Sequence, residues 1–202
     1  TGLAWSLSYL GAGLPKGSMD SAIVRIDTNV FELDLGKVGF TPEACNVLSI
    51  IVDSLKSSEE YSSRNSIDLG RFLVLTLHSS WHYYAITGVK KTFREFRAAY
   101  NLESAVLEFP GLNSGVAHHH RRIHFNPETE ASKMAFVAEE SEGPLTDDSF
   151  RPRAYEAFDV MANGQLRFAI YDEQGFLMAA SPGTFGIAGK PAECLWCHES
   201  SG

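Results

Sequence analysis

Near the end of this chain of 202 residues, Cys194-Leu195-Trp196-Cys197-His198 sets two thiols three positions apart, with an imidazole directly after the second. That spacing suits the attachment of a c-type haem. The thiols add across the two vinyl groups, and the adjacent histidine is delivered to the iron from the proximal side. One covalent haem c on Cys194 and Cys197, ligated by His198, is therefore the leading expectation. A zinc knuckle and a redox dithiol are the competing readings of C-x-x-C. Zinc wants a second ligand pair, which only Cys45 and scattered histidines supply, and a redox dithiol normally opens a helix in a βαβ unit, a pattern missing here.

Only four residues follow His198, so a second axial ligand from the protein has to come from upstream. His118-His119-His120 and His124 form the densest cluster. If Val116 to Phe125 is a strand, His118, His120 and His124 share one face, while Ala117, Ile123 and Phe125 share the other. Three imidazoles on one face suit iron or a second metal, or a solvated face beside Arg122. His78 and His82 stand i, i+4 on a helical stretch, a spacing that also suits a metal or a haem edge, although core histidines bonded to carbonyls are commoner. The expected metal set is His198 with His118, His120 or His124, preferred over the His78 and His82 pair. Met161 and Met178 are soft ligands or plain packing. Trp81, Tyr83 and Tyr84 read as core and rim aromatics. Arg151 and Arg153, flanking Pro152, suit haem propionates or solvent.

The elements that must position these groups change character along the chain. Ile23 to Leu35 reads as one strand or a bent pair, punctuated by Gly36 and Gly39. Thr41-Pro42-Glu43 is a helix start: a hydroxyl N-cap, a proline where its missing N–H is no loss, and an acid at the positive end of the dipole. Ala44, Val47, Leu48, Ile51 and Leu55 follow at helical spacing, and the helix stops in the polar run from Ser57 to Asn65. A second, longer helix is expected from Ile67 to about Ile86, apolar around most of its girth and thus central, with Gly88 as its C-cap. A short third helix spans Thr92 to Tyr100. Beyond residue 102 the period falls to two, with strands expected at Ala105 to Phe109, Val116 to Phe125, Met134 to Val137, Ala157 to Met161, Gln165 to Tyr171 and Phe176 to Ala180. Ala162-Asn163-Gly164 and Asp172 to Gly175 read as hairpin turns, and Glu139 to Arg153 as an acidic surface loop.

The fold class expected is α+β: an antiparallel β region packed by two or three helices and ending in the haem peptide. One domain spans 1–202, with 1–102 its strand-plus-helix portion and 103–202 its β-rich portion. Hydrophobic residues make up 44% and charged ones 21%, as in ordinary globular chains. The net charge of −8 and the scattered Lys and Arg argue against nucleic acid as a partner. Cys45, left over from the motif, lies among Ala44, Val47 and Leu48, which favours burial. No stretch is long and apolar enough for a transmembrane segment, and an export signal is expected to have been removed or to lie upstream of Thr1.

Leu166 to Asp172, then Gly189-Lys190-Pro191, then Cys194 to His198 resemble the closing hairpin and haem-binding end of the cytochrome P-460 and cytochrome c′-beta family. The likeness covers the last forty residues. It implies an antiparallel β fold packed by helices, a haem clamped near the C-terminus and an often open distal site, in proteins that oxidise hydroxylamine or bind nitric oxide. The enzyme branch cross-links a lysine to the macrocycle. No lysine here matches it, Lys133 being merely the one nearest the strands.

The function expected is a monohaem c-type cytochrome in extracytoplasmic electron transfer, periplasmic or secreted. Its partner would be a redox protein or a small molecule, and homo-oligomers or membership of a larger assembly are compatible with it. A P-460-like haem enzyme or nitric-oxide-binding protein is the alternative, and a non-haem structural binding module with a zinc-type C-terminus is a third.

Overall fold

A computed structural model describes residues 2–13, 22–102, 107–111, 120–141, 150–180 and 190–198, with the backbone alone at 107–111, 120, 196 and 197. The chain is α+β and divides into two compact units, residues 1–88 with 188–202, and residues 89–187. The C-terminal motif thus belongs with the N-terminal helices.

In the first unit, α1 (Gly2–Ser8) precedes a two-stranded antiparallel hairpin, β1 (Ile23–Asp27) and β2 (Val30–Leu33), so the bent pair is the correct form of that segment. Helix α2 (Pro42–Lys56) begins as its sequence requires, Thr41 Oγ1 accepting from the Ala44 N–H at 3.2 Å. It buries Ala44, Leu48, Ile51 and Leu55. The polar run after it is a further short helix, α3 (Glu59–Arg64), capped by Ser58. Gly39 holds φ +87°, and a Cβ there would meet the Gly13 carbonyl oxygen at 2.0 Å, so this crossing of two chain segments admits only glycine.

The long central helix expected from Ile67 to Ile86 is two helices, α4 (Leu69–Leu77) and α5 (Ser80–Thr87), separated at His78 and Ser79. Asp68 caps the first through the Arg71 N–H, and Gly88 ends the second in the left-handed region. Nor is the stretch buried all round: Phe72, Thr76, Tyr83, Tyr84 and Ile86 face the core, whereas Leu69, Val74 and Trp81 are exposed.

In the second unit, α6 (Phe93–Ala99) opens with a capping box between Thr92 and Glu95. It packs on a five-stranded antiparallel meander: β3 (Leu107–Gly111), β4 (His120–Phe125), β5 (Ala135–Ser141), β6 (Ala154–Val160) and β7 (Leu166–Asp172). Strand β5 buries alternate residues, and Ala135, Val137, Ala157, Ala169 and Tyr171 meet Phe96 and Leu102 in the core. On the opposite face Phe125, Phe136, Phe158 and Phe168 form a cross-strand ladder of rings. Asn126 pins the β4 to β5 connection, donating to the Tyr100 and Lys133 carbonyls and accepting from the Ala135 N–H.

Three strand expectations change. Residues 176–180 make only isolated bridges, Thr92 with Phe176 and Tyr171 with Leu177. β5 runs on through Glu139 and Glu140 to Ser141, so the start of the expected acidic loop is strand, and Glu139 is buried. β6 begins three residues earlier than its apolar run, at Ala154. The hairpin turns hold, Gly164 and Gly175 both taking positive φ.

Candidate haem-attachment site

Helix α7 (Ala192–His198) carries the whole motif. It starts after Pro191, whose carbonyl accepts from the Cys194 and Leu195 N–H groups at 2.9 and 3.0 Å. Glu193 in its first turn suits the helix dipole and pairs with Lys190 at 2.6 Å. Lys190 itself is buried, and its backbone N–H donates to Ser80 Oγ, 2.9 Å away at the start of α5. The motif helix is therefore tied to the α4–α5 turn by a contact spanning 110 positions of sequence.

The residues fit a covalent haem. Helical spacing sets positions 194 and 197 on one face, one turn apart, where two thioether bonds need them. Cys194 is a half-buried thiol, and His198 is exposed at the last position of α7. Among the described residues no three His, Cys, Asp or Glu side chains gather as a metal ion would require. Cys45 is a half-buried thiol in α2 rather than a fully buried one.

His118 and His119 lie outside the described residues. His120 stands opposite Ser141 in the β4–β5 register, in the second unit. His124 is engaged there: its Nε2 is 3.0 Å from Glu139 Oε2, and Glu139 also accepts from Arg122 Nε at 2.7 Å. Burial pushes the Glu139 carboxyl up, but the hydrogen bonds and charges of His124 and Arg122 outweigh it and hold the group below the usual carboxylate range. Arg122 in turn lies over the Phe150 ring.

His78 is the exposed C-cap residue of α4, and His82 sits half-buried on the first turn of α5, its Nδ1 3.0 Å from the Leu75 carbonyl oxygen. Both belong to the same unit as α7. Met161 is buried at the β6–β7 turn, as packing requires. Tyr83 and Tyr84 are core residues, and Trp81 stacks edge-on against Tyr84 while remaining exposed. Arg151 and Arg153 are exposed, Arg151 donating to the Phe150 carbonyl. Lys133 pairs with Glu130 on a surface turn.

Two ionic clusters of the sheet escape the sequence pattern. Arg121 pairs with Glu140 directly opposite it and with Glu156. Asp159, buried, receives Arg167 Nε and Nη2 at 2.9 and 3.0 Å and the Tyr100 hydroxyl at 2.7 Å. The signal for both lay in charged residues interrupting period-two runs. An open cleft of about 430 Å³ between α6 and the β7 end is lined by Phe93, Arg97, Tyr155, Glu173 and Phe176, among others.

No family model, curated protein or solved structure gives a significant match to this chain. No helix among the described residues is long and apolar enough to cross a membrane.

Proposed function

We propose that this protein is a monohaem c-type cytochrome that transfers electrons outside the cytoplasm. The observation that carries the reading is the C-x-x-C-H motif on one short helix, with His198 exposed. Cys194 and Cys197 would hold the haem and His198 would ligate its iron; the group when bound supplies a one-electron redox centre. Helix α7, tied to α5 through Lys190 and Ser80, fixes the attachment point to the packed helices. The exposure of its last residue keeps that point near solvent, where outer-sphere transfer to a redox protein or small molecule takes place.

The mass of the denatured protein, produced in a host with a c-type maturation system, should equal polypeptide plus one haem. A bare polypeptide mass defeats the proposal. The second reading, favoured by the likeness of the C-terminal forty residues to the P-460 and c′-beta proteins, is hydroxylamine oxidation or nitric oxide binding at an open iron position. Stopped-flow mixing separates the two. Rapid oxidation of the reduced protein by a small redox partner, with no response to nitric oxide or hydroxylamine, supports electron transfer; ligand binding or turnover overturns it.

A further inference from the structure

We infer that His82 is the second axial ligand of the haem, an assignment that rests on the haem-attachment reading above. Three observations carry it. First, His82 lies two residues beyond Ser80, whose Oγ accepts from the Lys190 backbone N–H at 2.9 Å, immediately before α7. From that tie, position 82 is about 3 Å of helical rise along α5, and position 198 is about 9 Å beyond the start of α7. The imidazoles of His82 and His198 thus stand on two helices anchored at one point, in one compact unit.

Second, the hydrogen bond made by His82 selects the tautomer a metal needs. The Leu75 carbonyl can only accept, so Nδ1, 3.0 Å away, must carry the proton. In the neutral ring Nε2 then holds the lone pair. A ligating histidine is ordinarily oriented in this way, with its other ring nitrogen donating to a backbone carbonyl. Among the described residues Nε2 of His82 has no hydrogen-bond partner, whereas Nε2 of His124 is committed to Glu139. His78 has no bond of this kind to fix its ring.

Third, the helix pair that carries His82 leaves large apolar side chains in water. Trp81, its neighbour, is 57% exposed, and Val74, one turn before the end of α4, is 56% exposed. Large apolar side chains left in water on a helix pair are suited to an apolar cofactor.

The competing role for His82 is purely structural: capping the last turn of α4 by satisfying the Leu75 carbonyl. The test separates the two roles. The full chain is matured with haem, its attachment checked by mass, and its ferric form examined by optical and electron paramagnetic resonance spectroscopy. The wild type should be low-spin. His82→Ala should become high-spin with haem still attached, and millimolar imidazole should restore the low-spin spectrum. His82→Gln, whose amide can still donate to Leu75, keeps the cap, and should show the same change with unaltered thermal stability. A high-spin wild type overturns the assignment. So does a low-spin spectrum retained in both His82 variants, or a conversion to high spin produced instead by His78→Ala, His118→Ala, His120→Ala or His124→Ala. A bare polypeptide mass would defeat the haem reading itself and is told apart from all of these.

Discussion

Replacing Asp159 by Asn should cost about 3 kcal/mol of stability in the unit that contains the five-stranded sheet. The carboxylate is buried and receives two bonds from Arg167 and one from Tyr100. Removing one partner of such a pair leaves the other charge uncompensated, which costs about 3–5 kcal/mol. The lower end applies because the Arg167 side chain is 17% exposed and can regain some water. A second readout comes from Tyr100. Burial first, then the charge and hydrogen bond of Asp159, push its hydroxyl up to about 12 from an ordinary 10. A folded-state value above the unfolded one means stability that is full below pH 10 and lost as pH rises from 10 to about 12. Discounted for the solvent screening of this half-buried ring, the effect is about 1 kcal/mol. In Asp159→Asn that alkaline loss should shrink. Urea unfolding followed by hydrogen exchange over β5 to β7 measures the first effect, and a tyrosinate absorbance titration, with Tyr100→Phe as reference, measures the second. The pair Asp159→Leu with Arg167→Met, which removes both charges, should recover most of the stability. A loss below 1 kcal/mol with an unchanged alkaline limb would refute the reasoning.

Gly39→Ala should destabilise by about 2–4 kcal/mol, because the left-handed backbone disfavours a side chain and the new Cβ would collide with the Gly13 carbonyl; thermal unfolding measures it, and a cost under 0.5 kcal/mol would contradict the close approach. Glu139→Gln should cost about 1–3 kcal/mol at neutral pH, since His124 and Arg122 lose the carboxylate they share. Its depressed native value means that stability is present above the ordinary carboxylate range and lost as pH falls through the native value. The variant's stability should therefore fall less on acidification than the wild type's, as read by urea midpoints between pH 7 and pH 3.

Local chemistry alone determined a good deal of this molecule. Thr41-Pro42 and Gly88 act within one turn of the backbone they cap, so α2 and the end of α5 were legible from neighbouring residues. The antiparallel strands and the turns at Gly164 and Gly175 were legible for a similar reason, and alternation of burial along β5 follows from the pleat. The C-x-x-C-H spacing needed no fold to be noticed. What only the tertiary structure decided depends on partners far apart in the chain. The break at His78 and Ser79 falls within Arg71 to Thr87, a run with no proline or glycine, and the Ser80 hydroxyl that opens the second helix is held by Lys190, 110 positions away. Glu139 reads as part of an acidic loop until β4 sets Arg122 opposite it and His124 beside it, where paired charge permits its burial. The choice among the histidines is of the same kind. Seven imidazoles look alike in sequence, and the proposal for His82 rests on a carbonyl seven residues earlier in another helix and on a C-terminal helix that returns to the first unit. Sequence periodicity records which face of an element is apolar, but not which distant element meets that face.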